Sequence, residues 1–117
     1  MTLDELLAKH CFEREKGTPV LTQSEVAELL NLVPGWQLTE DGTTIQWQKR
    51  LAHFVAAVNF VEKLAVICEE QDHHPDVHIY NYRWVGLDFT TTSIGGLSEN
   101  DFIMAAKVNQ LAAANGG

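Results

Sequence analysis

The sequence predicts an α+β domain in which helices pack on one face of a four-stranded antiparallel sheet. Two pairs of short alternating segments, with one long helical pattern between them, indicate this class. Because the strands follow one another in pairs, no parallel crossover is implied, and helices on one face can cover the apolar side of the sheet. A chain of 117 residues is long enough for one such domain, spanning 1–117, with a core of its own.

Two capping boxes predict two short helices near the N-terminus. The segments Thr2–Glu5 and Thr22–Glu25 fit the S/T-x-x-E pattern, in which a hydroxyl and a carboxylate satisfy free N–H groups at a helix start. We expect these helices to run to about residue 10 and about residue 32. The apolar residues that the second helix should bury are Val26, Leu29 and Leu30.

The dipeptide Asp41-Gly42 predicts the first hairpin, because Asp-Gly between alternating apolar runs favours a tight turn. The flanking strands are expected at about 36–40 and 43–49. A second pair of strands is expected at about 76–82 and 84–91, where apolar and polar residues again alternate.

The clearest helix lies between the two strand pairs. Pro75 must end it, since proline disfavours helical geometry at the residue before it. Residues 98–101 resemble another cap and predict a last helix to about residue 111, with 112–117 as a fraying end. The apolar residues that follow i, i+3, i+4 spacing on the central helix are Phe54, Ala57, Val58, Val61, Leu64, Ala65 and Cys68.

Charge and composition exclude several classes of function. The chain has 8 Lys and Arg residues against 16 Asp and Glu residues, a formal net charge of −8. Such a surface repels phosphate, which argues against nucleic acid or an anionic membrane as partner. No apolar run approaches the length of a membrane span, and no leader pattern opens the chain. Cys11 and Cys68 form no C-x-x-C motif, so we expect reduced thiols and a cytoplasmic protein.

Three of the five histidines fall within residues 73–78, and three interpretations are open. They can be a solvated cluster at a helix C-terminus, where the negative end of the dipole favours them. Alternatively, His74, Asp76 and His78 alternate onto one strand face and could bind zinc or iron, although no thiolate pair accompanies them.

The third interpretation is general acid–base catalysis. His73 and His74 are adjacent imidazoles that could hold one acid and one base near neutral pH. Glu69 lies one helical turn before His73, where it could orient that ring and fix its tautomer. Pro75 would pin the backbone at the corner between helix and strand.

These residues resemble those of a known family, the pterin-4a-carbinolamine dehydratases. The resemblance covers roughly residues 22–112. One position departs from it, because the family's third catalytic histidine, just before the Gly-Gly turn, is replaced by Thr92. The segments that carry the resemblance are Glu69-x-x-x-His73-His74-Pro75-Asp76, Pro34-Gly35-Trp36, Phe54-x-x-Ala57-x-x-Phe60, Tyr82 and Gly95-Gly96-Leu97-Ser98-x-x-Asp101-Phe102.

The resemblance implies conversion of 4a-hydroxytetrahydrobiopterin to quinonoid dihydropterin and water, which recycles the pterin cofactor of aromatic amino-acid hydroxylases. It implies His73 and His74 as the acid–base pair, with Glu69 orienting an imidazole. Thr92 and Asp101 would contact substrate or support the site, although Asp101 also suits the start of a helix. Neither a metal nor a cofactor is implied.

The resemblance also implies partners. A hydroxylase could accompany the enzyme, and the chain is expected to form a homodimer or homotetramer, since a small sheet must protect its edges. The loss of the third histidine at Thr92 supports a competing interpretation, in which a catalytically impaired relative serves as a binding, coactivator or assembly module.

Overall fold

The structure is a computed structural model that describes residues 1–114. It contains four helices and a four-stranded antiparallel sheet, which confirms the predicted α+β class. The elements in chain order are α1 (Leu3–Ala8), α2 (Gln23–Leu30), β1 (Gln37–Leu38), β2 (Ile45–Arg50), α3 (Phe54–Gln71), β3 (Asp76–Tyr80), β4 (Trp84–Phe89), a 3-10 turn (Thr92–Ile94) and α4 (Glu99–Ala114).

The sheet has the strand order β1-β2-β4-β3, with every neighbouring pair antiparallel. The two central strands, β2 and β4, pair along their full lengths, from Ile45 opposite Phe89 to Arg50 opposite Trp84. Strand β3 pairs only with β4 and therefore forms one edge of the sheet. This order brings the start of β3 and the end of β4 to the same end of the sheet, because Asp76 lies opposite Asp88.

The predicted hairpin is present, but β1 is shorter than expected. It spans two residues instead of the five predicted at 36–40. Asp41 Oδ1 accepts hydrogen bonds from Thr39 Oγ1 at 2.7 Å and from the backbone N–H of Thr43 at 3.1 Å. Local side-chain bonds of this kind compete with a strand ladder, so the chain forms a wider loop around Gly42, whose φ is +75°.

The core lies on one face of the sheet, beneath the helices. Helix α3 packs on this face, α4 packs against α3, and α1 packs against α4. The opposite face of the central strands carries exposed polar residues such as Gln46 and Gln48. The strand residues buried under the helices are Ile45, Trp47, Val85, Leu87 and Phe89.

The predicted apolar face of α3 is partly wrong. Phe54, Val58 and Ala65 are exposed, whereas Phe60, which the predicted line omitted, is 3% exposed. Successive helical residues are rotated by about 100° around the helix axis. Phe54 and Val58 therefore lie beside the face of α3 that packs on the core, and not on it. The α3 residues that are buried are Ala57, Phe60, Leu64, Cys68 and Gln71.

The two predicted capping boxes are confirmed at Thr2 and Thr22. Both helices end about two residues earlier than predicted, and Leu30 is only partly buried. Helix α4 continues through residue 114, so the expected fraying of 112–114 is wrong, and 115–117 lie outside the described residues. Within residues 1–114, no helix combines the length and the apolar character needed to cross a membrane.

Candidate active site

The two adjacent histidines lie at the corner where α3 gives way to β3. Asp72, which ends the helix, has φ 51° and ψ 43°, a left-handed conformation that reverses the chain direction. The backbone N–H of His73 then donates to Cys68 O at 3.2 Å, which fastens the corner to the last helical turn. Pro75 follows and directs the chain into β3.

His73 is held by a buried carboxylate. Its Nε2 lies 2.7 Å from Asp101 Oδ1, and the side chain of Asp101 is fully buried. The other oxygen of Asp101 accepts from Thr91 Oγ1 at 2.8 Å and from the backbone N–H of Ser98 at 3.0 Å. The imidazole also stacks on Phe89, with ring centroids 5.8 Å apart and planes 12° apart. These contacts hold the ring in position, and since an ionised carboxylate can only accept, the tautomer that fits is the one with Nε2–H as donor.

His74 has a very different surrounding. Its Nε2 lies 2.5 Å from Glu69 Oε2, and the two side chains are 52% and 75% exposed. The expectation that Glu69 orients His73 is therefore wrong. The left-handed residue at Asp72 interrupts the helical spacing, so that residue 74, not residue 73, meets the carboxylate.

Both imidazoles line one cavity of about 1050 Å³. Thr92 lines the same cavity from the 3-10 turn, without an imidazole at that position. Asp101 is not among the lining residues, because it lies behind His73 in the core. Of the two expectations for Asp101, contact with substrate or support of the site, its contact with His73 Nε2 from behind the cavity favours the second.

The three residues considered as metal ligands do not converge. His74 contacts Glu69, and His78 Nε2 lies 3.2 Å from Asp88 Oδ2 on the neighbouring strand. Among residues 1–114, no three His, Cys, Asp or Glu side chains are arranged to hold a metal ion.

Two buried thiols lie close to the site. Burial raises the pKa of Cys11 to about 11, and the negative charge of Asp101 adds to the shift. Burial raises the pKa of Cys68 to about 11 as well, and the charge of Glu69 adds to it. Because the thiolate is the reactive form, neither side chain is a nucleophile near neutral pH.

One wall of the cavity comes from a segment that the sequence did not single out. Residues 10–14, which we call the N-terminal wall, line the same cavity as the two histidines. The backbone N–H of Cys11 donates to Gln71 Oε1 at 2.7 Å, and Asn100 Nδ2 donates to Phe12 O at 2.7 Å. These contacts join residues 60 to 88 positions apart, and no local pattern in the sequence signals them.

Comparisons with known proteins show which family the chain resembles. A family model described as pterin 4 alpha carbinolamine dehydratase matches residues 19–111. A protein of Methylococcus capsulatus, provisionally named pterin-4-alpha-carbinolamine dehydratase, is 43% identical over 108 residues, which cover 92% of this chain and 94% of that protein.

Two solved structures are also similar. The crystal structure of a transcriptional coactivator/pterin dehydratase from Brucella melitensis has a TM-score of 0.75 and 33% identity, covering 80% of this chain and 99% of that chain. A pterin dehydratase-like protein described as a RuBisCO assembly factor in the alpha-carboxysome has a TM-score of 0.57, covering 67% of this chain and 89% of that one. Its identity of 20% makes it a likeness of fold alone.

Proposed function

This chain belongs to the pterin 4 alpha carbinolamine dehydratase family, and on that premise we propose that it dehydrates 4a-hydroxytetrahydrobiopterin or a close analogue to the quinonoid dihydropterin. In the cytoplasm, this reaction would recycle the pterin cofactor of an aromatic amino-acid hydroxylase. The observation that carries the proposal is the pair of imidazoles on one cavity wall, each with one ring nitrogen bound to a carboxylate.

The reaction requires two proton transfers and no change of oxidation state. One imidazole, in its protonated form, gives a proton to the 4a-hydroxyl group, which leaves as water. The other imidazole takes the proton from N5 as the double bond between C4a and N5 forms. Each such transfer contributes about 10²–10⁴-fold to a rate. In this proposal His73 and His74 share the two roles, while Asp101 and Glu69 orient them.

Thr92, in place of a histidine, is expected to lower the dehydration rate of the proposed enzyme. Its hydroxyl can donate or accept a hydrogen bond, but it cannot exchange a proton with substrate near neutral pH. The missing imidazole is expected to cost at most the contribution of one acid–base group, about 10²–10⁴-fold, because His73 and His74 remain. We therefore propose a working dehydratase that is slower than relatives with three histidines.

The test is the dehydration rate of a 4a-hydroxytetrahydropterin, followed by ultraviolet absorbance. The wild type should exceed the uncatalysed rate, and His74→Ala should fall toward it. Because His74 is about half exposed, this variant should fold normally, which circular dichroism checks. If wild type and variant both match the uncatalysed rate, the proposed function is wrong.

A second candidate is a binding or assembly module, and the exposed side of α3 favours it. Phe54, Val55, Val58 and Val66 are each between 39% and 59% exposed on this helix. Such an apolar surface is typical of a site that contacts another protein. A wild type without dehydratase activity, together with a stable fold, would make this candidate the better one.

We also propose that the chain forms a homodimer or homotetramer. Strand β3 is an edge strand, and Val77, Ile79 and Tyr80 are each 37% exposed or more on it. An apolar edge strand is a site for pairing with another chain, so a second copy would cover it. Sedimentation of the 13.1 kDa chain at micromolar concentration tests this, and a purely monomeric species would contradict it.

A further inference from the structure

Three of the five histidines line the cavity of the candidate active site, and one of them comes from outside the histidine motif. This residue is His10, at the start of the N-terminal wall. It precedes the region that the family model matches, which begins at residue 19. The dehydratase reaction proposed above uses only His73 and His74, so the imidazole of His10 has no role in it.

Buried side chains hold the start of the N-terminal wall in place. The backbone N–H of Cys11 donates to Gln71 Oε1 at 2.7 Å. The backbone of Phe12 donates to and accepts from the side-chain amide of Asn100, at 3.3 Å and 2.7 Å. Both anchoring side chains are buried, at 8% and 3% exposure. Since Gln71 is the last residue of α3, these contacts hold His10 near the corner between α3 and β3.

The other end of the wall contacts the 3-10 turn. Ser93 Oγ donates to Arg14 O at 2.7 Å, and Ser93 directly follows Thr92 in that turn. The wall therefore connects the end of α3 with the turn, and the cavity holds both the imidazole of His10 and the hydroxyl group of Thr92. Either of these side chains could contact a ligand that lies against the two imidazoles at the corner.

The ring of His10 has a defined tautomer in its neutral form. Its Nδ1 lies 2.8 Å from Cys11 O, and because a carbonyl oxygen can only accept, Nδ1 carries the proton. Nε2 is then an unprotonated acceptor, and no group within residues 1–114 donates a hydrogen bond to it. The side chain is exposed, so a ligand in the cavity can reach this nitrogen.

The two imidazoles at the corner have a different kind of partner. His73 and His74 each bind a carboxylate through Nε2, whereas His10 binds an uncharged carbonyl through Nδ1. A carboxylate compensates the charge of an imidazole that takes up a proton, and a carbonyl does so less. The corner pair is therefore suited to proton transfer, and His10 is suited to accepting a hydrogen bond.

The proposed reaction has a use for such an acceptor. When the 4a-hydroxyl oxygen of the substrate receives a proton, it becomes positively charged, and its own O–H becomes a stronger hydrogen-bond donor. An acceptor for this O–H therefore binds the transition state more tightly than it binds the substrate, which raises kcat. An unprotonated imidazole nitrogen can accept this bond.

On the premise of the proposed dehydratase function, we propose that His10 is a catalytic residue whose Nε2 accepts a hydrogen bond from the 4a-hydroxyl group as this group leaves. The bond between C4a and oxygen breaks, one corner imidazole supplies the proton that completes the water molecule, and the other takes the proton from N5. His10 neither gains nor loses a proton. One hydrogen bond of this kind contributes about tenfold to kcat.

Two substitutions of different chemistry test this role. His10→Leu replaces the ring by an apolar side chain without an acceptor. For dehydration of a 4a-hydroxytetrahydropterin, its kcat should fall about tenfold and its KM should change less than about twofold. His10→Gln keeps an oxygen acceptor on a side chain of similar length and should retain about half of the wild-type kcat or more. Equal losses in the two variants would indicate proton transfer and would overturn the proposal.

Two further variants serve as controls. His78→Leu removes an exposed histidine that does not line the cavity, and it should leave kcat unchanged. Thr92→Val removes a hydroxyl acceptor from the same cavity, and it should lower kcat less than His10→Leu does. Circular dichroism checks the fold of each variant. His10→Ala removes the same acceptor and takes the place of His10→Leu if the leucine variant does not fold.

The results distinguish this proposal from the proposed function. An unchanged kcat in His10→Leu, a loss confined to KM, or a larger loss in Thr92→Val would overturn the role of His10. If the wild type exceeds the uncatalysed rate in those cases, the proposed function stands without it. A wild type that only matches the uncatalysed rate would show that both are wrong.

Discussion

His73 and His74 are neighbours in sequence with identical side chains, yet they belong to two different regions of the molecule. The side chain of His73 is 11% exposed, stacked on Phe89 and bound to a carboxylate inside the core. The side chain of His74 is 52% exposed and bound to Glu69 on the surface of α3. The two rings therefore bind carboxylates of different elements, Asp101 of α4 and Glu69 of α3.

The site therefore has a buried half, in which core contacts hold the ring of His73, and an exposed half, in which one surface contact holds the ring of His74. Asp101 holds His73 while Thr91 and Ser98 hold Asp101, so the position of this ring depends on the packing of β4 and α4. His74 depends on a single exposed pair, and such pairs contribute only about 0–1 kcal/mol because water and salt screen them. Loss of either ring should affect catalysis, whereas only loss of the first should affect folding.

The largest effect should come from removing each imidazole in turn. His73→Gln and His74→Gln should each lower the dehydration rate by about 10²–10⁴-fold, because each removes one proton-transfer group. Their stabilities should differ. His73→Gln should lower the free energy of unfolding by about 1–3 kcal/mol, since it disturbs the partner of a buried carboxylate. His74→Gln should change it by less than about 0.5 kcal/mol.

Urea unfolding and the absorbance assay, applied to the same preparations, measure both quantities. His78→Gln is the matched control, because that exposed histidine does not line the cavity and should change neither one. Equal losses of stability in the two active-site variants would contradict the division between a buried and an exposed half.

A slightly smaller loss of activity is expected from Asp101→Asn. An amide in place of the carboxylate turns an N–H donor toward either His73 Nε2 or the backbone N–H of Ser98, both of which now donate to Asp101. The rate should fall about 10²-fold, because the ring is then held in the wrong tautomer for proton transfer.

The pH dependence of the rate distinguishes this from a general loss of structure. Asp101→Asn should alter the pH profile of the remaining activity, whereas Asp4→Asn, at an exposed position in α1, should leave both rate and profile unchanged. A normal rate in Asp101→Asn would mean that His73 is not oriented through this residue.

Much of the fold could be predicted from the sequence because its signals are local. The capping hydroxyls of Thr2 and Thr22 act within four residues, and alternation along β4 follows from the pleat. The errors have physical causes. The strand β1 is shorter than predicted because Thr39 and Thr43 donate hydrogen bonds to Asp41 and form a loop there. On α3, valines lie on both the exposed and the partly buried sides of the helix, so the apolar pattern did not identify the single face that packs on the core.

The site was predictable in composition but not in its contacts. The histidine pair and the carboxylates at 69 and 101 were identified from short motifs. The pairing of each ring with its carboxylate depends on the left-handed conformation of Asp72 and on the packing of α3 against α4. Neither feature can be seen in a short motif. The N-terminal wall depends on contacts with Gln71 and Asn100, which link distant parts of the chain.

Introducing a third imidazole at position 92 should raise the dehydration rate moderately. Thr92 lines the cavity from the short 3-10 turn, and Thr92→His should raise the dehydration rate about tenfold. Full rescue is not expected, because a catalytic group must be placed within about 0.5 Å and residue 92 is exposed on a three-residue turn. The control is Thr92→Asn, which adds a polar side chain without a titratable group. An equal gain in both variants would contradict an acid–base effect.

The smallest effect should come from Glu69→Gln, which isolates the exposed half of the comparison. The amide oxygen of glutamine can still accept from His74 Nε2–H, so the ring keeps a partner and loses only the charge. Because the pair is open to solvent, we expect the rate to fall only two- to threefold, which corresponds to about 0.5 kcal/mol, and the free energy of unfolding to change by a similar amount or less. Glu70→Gln, at the adjacent exposed position, is the matched control and should match the wild type. The same absorbance assay and urea titration measure both variants. A loss in Glu69→Gln as large as that in Asp101→Asn would show that His74 also requires a fixed negative charge, and the two halves of the site would then depend on their carboxylates equally.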